Sequence, residues 1–349
     1  MSKLKAPRAK LRWSTALAIG FTATLALSAC SGGDSSDDGG EAGGDWDPVT
    51  IDSALGTATI EEEPERIVTL GQGSTETAIA LGTTPVGMEE YTWGADDTGY
   101  LPWIHDEVTE RGDELPELVT GGTELDVEGI LELEPDLILA PWSGVTQEQY
   151  DLLSDIAPTV AYPEQPWTIE WEQQIEIIGE AMGQEDDAQG LITDINTQFD
   201  EARNEDYEDV TFSYVYNDGP GTLGVFYPEE QRVAMVSALG LTPDPVVDEL
   251  RDEYDAPGTQ SALIGLENAD QLADSDLLFT FYMDEANREE TEAQELYASI
   301  PSVENDAVVA AEDQAFVTAS SMINPLTVPY TLERYEPMID DAIANAQQN

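Results

Sequence analysis

Beyond residue 12 this 349-residue chain contains no lysine. Its three lysines and two of its nine arginines crowd the first twelve positions, a stretch without a single acid. The remainder sets seven arginines against 73 aspartates and glutamates, a formal charge of −66. So few cations cannot neutralise phosphates, which excludes nucleic acid as a partner. A lone cysteine, Cys30, excludes an internal disulfide and a Cys-based metal site. A lone histidine, His105, excludes a histidine-pair motif and a Cys–His couple, and it reads as a surface-loop residue. GxSxG and the phosphate-cradling GxxxxGK are absent too. Acidic pairs mean nothing among 73 acids. No catalytic and no metal-ligating residue can be named, and the chain reads as a non-enzyme. The acid density itself fits a halophilic, acidic proteome, because the Debye length falls to about 3 Å at 1 M salt and screens self-repulsion.

What is present begins with an address. Lys3, Lys5, Arg8, Lys10 and Arg12 precede an apolar stretch from Trp13 to Leu27, then Leu27-Ser28-Ala29-Cys30. Charge, short apolar core and small-residue cleavage site form a signal peptide over residues 1–29, too short for a stable membrane span. The tetrapeptide resembles a bacterial lipobox, which implies a lipidated Cys30 and a lipoprotein on the extracytoplasmic face of the cell membrane. A buried inert cysteine or an unanchored secreted product is the bland alternative. Residues 30–45, Gly, Ser and acid after the cysteine, cannot build a core and read as a flexible tether.

From Trp46 onwards short apolar strands alternate with helical patterns, the mark of α/β lobes with mainly parallel sheets. Strands are expected at 66–70, 85–88, 136–140 and 157–161, with Asp126 capping the helix before Pro135. Trp171, Ile175, Ile178 and Met182 share one helix face. Ala188, Leu191, Ile192, Ile195, Phe199 and Ala202 continue at helical spacing after Gly183. A second set follows, with strands at 210–216, 223–227, 276–282 and part of 307–318, and a closing helix near 326–344. Pro135-Asp136-Leu137-Ile138-Leu139 is echoed by Ser275-Asp276-Leu277-Leu278-Phe279, which suggests two related lobes. The expected division is 46–165 for the first lobe, 166–205 for a helical connector and 206–349 for the second.

Several runs carry a family resemblance: Pro64-Glu65-Arg66-Ile67-Val68-Thr69-Leu70, Glu76, Ala80-Leu81-Gly82-Thr83-Thr84-Pro85-Val86-Gly87 and Leu125-Asp126-Val127-Glu128-Gly129-Ile130. Pro135 to Leu139, Tyr150 to Val160 and Ile178 to Gly183 follow in order. Over residues 60–345 the chain resembles the iron-siderophore and vitamin B12 class of ABC-importer binding proteins, the class III periplasmic type. The resemblance implies two α/β lobes joined by one long rigid helix, here Glu185 to Arg203. It implies a monomer that captures an Fe(III)-siderophore between the lobes and delivers it to a permease and its ATPase. A carrier of vitamin B12, haem or another metal complex would share the fold. A secreted enzyme or an adhesive lipoprotein is a more distant rival.

In open α/β sheets ligands bind outside the carboxyl ends of the strands. That rule selects Trp142 after one strand and Tyr282 after its echo. It adds Trp93, Tyr100 and Trp103 in the loop after the second strand, and Tyr227 after 223–226. Aromatic faces suit a bulky chelate, although each of these residues could equally be core. Among the seven arginines, Arg66, Arg203 and Arg334 sit on strands or helices, whereas Arg111, Arg232, Arg251 and Arg288 lie in or near loops. Arg288, close behind Tyr282, is chosen as the chelate-binding cation. So few cations favour neutral or cationic hydroxamates over citrate or tris-catecholate types. The resemblance further implies one exposed glutamate per lobe for docking on the permease, matched here by Glu76 and, over Glu229, by Glu230.

Overall fold

A computed structural model describes residues 46–256, 259–311 and 313–347, which leaves Cys30 and the tether outside the described residues. The folded part opens with an antiparallel hairpin, β1 (Val49–Asp52) and β2 (Thr57–Ile60), whose alternating apolar and polar residues bury one face, a hairpin the reading of the sequence left out. The first lobe then runs β3 (Ile67–Thr69), α1 (Ser74–Ala80), β4 (Gly87–Glu89), α2 (Pro102–Arg111), β5 (Glu117–Val119), α3 (Val127–Glu132), β6 (Leu137–Ala140), α4 (Gln147–Ser154) and β7 (Thr159–Ala161). Its five strands are all parallel, in the order β5-β4-β3-β6-β7. Every residue of β3, β6 and β7 is buried, as strands covered on both faces require. Asp126 caps α3 as expected, its carboxylate accepting the Gly129 N–H at 2.9 Å.

The connector is α5 (Trp171–Ala181) followed by α6 (Glu185–Ala202). Their apolar stripes bury Ile175, Ile178, Ile192, Ile195 and Phe199 in one shared cluster, and each such side chain contributes about 1.5–3 kcal/mol. With 18 residues, α6 spans about 27 Å, and in the chain it lies between the two sheets.

The second lobe comprises β8 (Thr211–Gly219), β9 (Thr222–Phe226), α7 (Gln231–Ala238), β10 (Thr242–Pro243), α8 (Val246–Tyr254), β11 (Asp255–Ala256), β12 (Ser261–Gly265), β13 (Leu277–Phe281), α9 (Glu285–Glu292), α10 (Glu295–Ala298), α11 (Pro301–Glu304), β14 (Val308–Ala311), α12 (Gln314–Ala319) and α13 (Thr327–Ala346). Its sheet is mixed rather than mainly parallel. β10, β13 and β14 run parallel with β8, whereas β9, β12 and β11 form an antiparallel extension. The chain reverses at once after β8, through Gly219 and Gly221 in left-handed conformations, so β9 must pair antiparallel.

The sequence echo is a structural device. Asp136 accepts the N–H groups of Glu65 and Arg66 at 2.9 and 2.8 Å, tying the start of β6 to that of its neighbour β3. Asp276 accepts the Thr211 N–H at 2.9 Å, tying β13 to β8 in the same way. Among the described residues, no helix is long and apolar enough to cross a membrane.

Candidate functional site

In the first sheet the chain builds outwards from β3 to β5, then returns to the far side of β3 for β6. The switch point thus lies between β3 and β6, where strand-end loops diverge and leave a crevice. Two loops meet there. Gly71 has φ 72°, and a Cβ there would stand 2.2 Å from the Trp142 carbonyl oxygen, so both its backbone and its surroundings require glycine. The next residue, Gln72, donates its N–H to that same carbonyl at 3.0 Å, and its own carbonyl accepts Nε2 of Gln174, on α5, at 2.6 Å. Glu89, at the end of β4, accepts the Gly71 N–H at 2.8 Å. Burial raises the pKa of this carboxyl, opposed by hydrogen bonds from the Gly71 and Gly122 backbones. Glu89 lines a cavity of about 70 Å³ together with Leu70, Gly122, Ser143, Gly144 and Trp167.

At the carboxyl end of the second sheet an aromatic stack surrounds one cation. Tyr216 stacks on Phe226 with centroids 4.7 Å apart and on Phe281 at 6.5 Å. The Arg232 guanidinium stands 4.8 Å from the Phe226 centroid and 5.5 Å from that of Phe281. Arg232 forms an ion pair with the buried Glu230 carboxylate, which also accepts the Arg232 N–H at 2.8 Å. The Arg232 Nε, although buried, has no hydrogen-bond partner among the described residues.

The two sheets turn these carboxyl ends toward a common boundary. Gly94, in the loop after β4, lies against α12, which follows β14: a Cβ on Gly94 would meet Thr318 Oγ1 at 2.4 Å. Trp142 packs with Ile169 and Met322, and the Ile323 N–H donates to Gln231 Oε1 at 2.7 Å. Glu170 has its pKa raised by burial, then by the charges of Glu172 and of Glu229, a second-lobe residue.

The expected ligand residues separate under this geometry. Trp93 is half-buried in the loop beside Gly94, and Trp142 sits at the switch point with Nε1 buried and unpartnered among the described residues. Both are where the strand-end rule puts them. Tyr100 is not, because its hydroxyl donates to the Pro116 carbonyl at 2.8 Å, at the amino-terminal side of β5. Trp103 is a buried residue of α2 that donates Nε1 to Glu76 at 2.9 Å and packs on Tyr330 at 5.2 Å. Tyr227 is buried, with its hydroxyl on Asp255 at 3.0 Å and Arg251 3.7 Å over its ring. Tyr282 and Arg288 do come together, at 5.6 Å, and line two cavities, one of about 460 Å³ walled by acids and α13 and one of about 450 Å³ bordered by Met283, Asp284, Glu285 and Gln314. Arg288 pairs there with Glu292 on its own helix at 2.8 Å. The first of these cavities uses second-lobe elements alone, whereas Gln314 at the second begins α12, the helix that lies against Gly94 of the first lobe.

The exposure expected of the docking glutamates is not found. Glu76 is 2% exposed and Glu230 5% exposed, and each is satisfied internally, by Trp103 and by Arg232. Burial raises the pKa of both carboxyls. Arg232, Tyr216, Phe226, Phe281, Glu89 and Trp167 stand at these strand ends and were not chosen in reading the sequence. Arg232 stood among four loop-proximal arginines, and only its aromatic neighbours from two separate strands distinguish it.

Comparison with known proteins agrees with this architecture. Residues 67–315 match the family described as periplasmic binding protein. The chain is 28% identical over 284 residues to the ferric enterobactin-binding periplasmic protein of Escherichia coli, covering 78% of this chain and 86% of that protein. It is 29% identical over 237 residues to the iron(3+)-hydroxamate-binding protein YxeB of Bacillus subtilis, covering 64% and 67%. The crystal structure of Streptococcus pneumoniae PiaA in complex with ferrichrome superposes with a TM-score of 0.76 at 26% identity, covering 85% of this chain and 99% of that one.

Proposed function

This chain belongs to the periplasmic binding protein family, and on that footing we propose that it is the extracytoplasmic substrate-binding component of an ABC importer. Held at the membrane by lipid on Cys30, it captures a ferric siderophore between its lobes and passes it to a permease and its ATPase. The observation that carries this reading is Arg232, a partly exposed guanidinium on an aromatic platform at the carboxyl end of the second sheet. A guanidinium flanked by apolar rings can donate to chelate oxygens while the rings cover the ligand's carbon skeleton. The names of the two relatives and the ferrichrome complex support iron chelates as the cargo.

The cargo is a hydroxamate chelate, since one internally paired cation suits a ligand with little or no negative charge. Arg232, Phe226, Phe281 and Tyr216 hold it from the second lobe, and Trp93, Trp142 and Trp167 from the first. Arg288 and Tyr282 are replaced in this role.

Tryptophan fluorescence tests the reading. Iron-loaded and iron-free hydroxamate, catecholate and carboxylate chelates are titrated in high-salt buffer beside cobalamin and haem. Saturable quenching by ferric hydroxamates is expected. Quenching by cobalamin or haem alone would move the protein to another cargo.

A further inference from the structure

The first lobe carries a carboxylate at the carboxyl end of β4, and the second carries the Arg232 guanidinium at the start of α7. Glu89 lines the cavity of about 70 Å³ at the β3–β6 switch point, and no cationic residue lines that cavity. Trp167 forms another part of its wall. This bulky residue takes φ 63°, a left-handed backbone that side chains other than glycine seldom adopt. Its ring rests on Gly144, where a Cβ would stand 2.8 Å from a ring carbon, and the residue remains 44% exposed. The backbone is therefore held in an unfavourable conformation that leaves an aromatic ring half in solvent beside a carboxylate.

A ring face and a carboxylate around a small cavity are the recognition elements of an alkylammonium group. The cavity cannot hold a whole chelate, since such ligands need about 300 Å³ or more. It can admit a terminal ammonium and its first methylenes. Resting on the siderophore reading, the geometry points to a cationic ferric hydroxamate whose ammonium arm enters between Glu89 and Trp167. The chelate oxygens then face Arg232, so the two opposite charges fix the ligand's direction in the cleft. The acidic surface draws such a cation and repels anionic chelates.

The test uses ferrioxamine B, a neutral iron(III) trihydroxamate core with one terminal ammonium, and its N-acetylated derivative. Calorimetric titration of the full folded chain in 1 M NaCl gives the ratio of the two Kd values. The amine form should bind about tenfold more tightly. In Glu89→Gln, whose amide can still accept the Gly71 N–H, that ratio should fall toward one. Trp167→Ala should lower it at least threefold, and serves if the Glu89 variant does not fold. Equal affinities in the parent protein overturn the ammonium site and leave the siderophore reading standing. A preference that persists in both variants also overturns it, and assigns the effect to the general acidic field. Binding of neither chelate overturns the site and the hydroxamate reading together.

Discussion

Arg232→Met removes the guanidinium that pairs with Glu230 and keeps the backbone N–H that Glu230 caps at 2.8 Å. Glu230 is 5% exposed, so the variant strands a buried carboxylate without a counter-ion. Breaking a buried pair in this way costs about 3–5 kcal/mol. The carboxyl has one escape, which is to take a proton, and this makes the loss depend on pH. Burial already raises its pKa from the usual 4.5, with Arg232 opposing the rise. Without Arg232 the folded-state pKa climbs further. A folded state that binds more protons than the unfolded chain loses stability as pH rises from the unfolded value to the folded one. Arg232→Met should therefore be nearly benign below pH 4.5 and worsen above it, by up to about 1.4 kcal/mol per pH unit. Urea unfolding at pH 5 and pH 8, at one fixed salt concentration, reads the difference. Adding Glu230→Gln should recover most of the loss at pH 8, because a neutral amide still caps α7 and has no charge to strand. An equal loss at both pH values, or no recovery in the double variant, would refute the buried pair. The folded double variant is also the protein in which to measure what the missing guanidinium does to chelate affinity.

Glu76→Arg should unfold the first lobe or cost about 3 kcal/mol or more, because it forces a cation into a 2%-exposed site against Trp103; normal stability with impaired transport would instead restore Glu76 as a docking residue. Cys30→Ala should release the protein from membranes or block its maturation, and mass spectrometry of native protein should find a lipid on Cys30; an unmodified N-terminus downstream of Cys30 counts against the anchor. Raising NaCl from 0.1 to 1 M should raise Tm by several degrees, as the Debye length falls from about 10 to about 3 Å around a chain of this charge. A flat or falling Tm would mean that its acids are not in mutual repulsion and would remove the argument for a high-salt habitat.

Local patterns in the sequence carried over well where one segment decides its own conformation. The stripe from Ala188 to Phe199 became α6, Leu137 to Ala140 became a buried strand, and Asp126 capped α3. Helical periodicity and capping need only neighbours within a few residues, so the chain states them directly. The direction of β9 and the pairing of β12 with it were not legible in this way, because strand partners are chosen by distant residues.

The site shows the same division more sharply. The strand-end rule needs only strand positions, and it placed Trp93 and Trp142 at the strand-end loops where they stand. It could not tell the surroundings of Arg232 from those of Arg288, since both follow strands and the difference lies in Phe226 and Phe281 on β9 and β13. Nor could it see that Glu76 faces Trp103 across 27 residues, or that Glu230 folds back on Arg232. Among 73 acids each glutamate looks solvated, and sequence carries no mark of the rare one that is buried. Composition alone determined the charge and the lack of a second cysteine or histidine, and residue order raised the expectation of a signal sequence ending before Cys30. Tertiary packing alone decided which charges are withdrawn from water, because burial depends on side chains that adjoin in space and are remote in the chain.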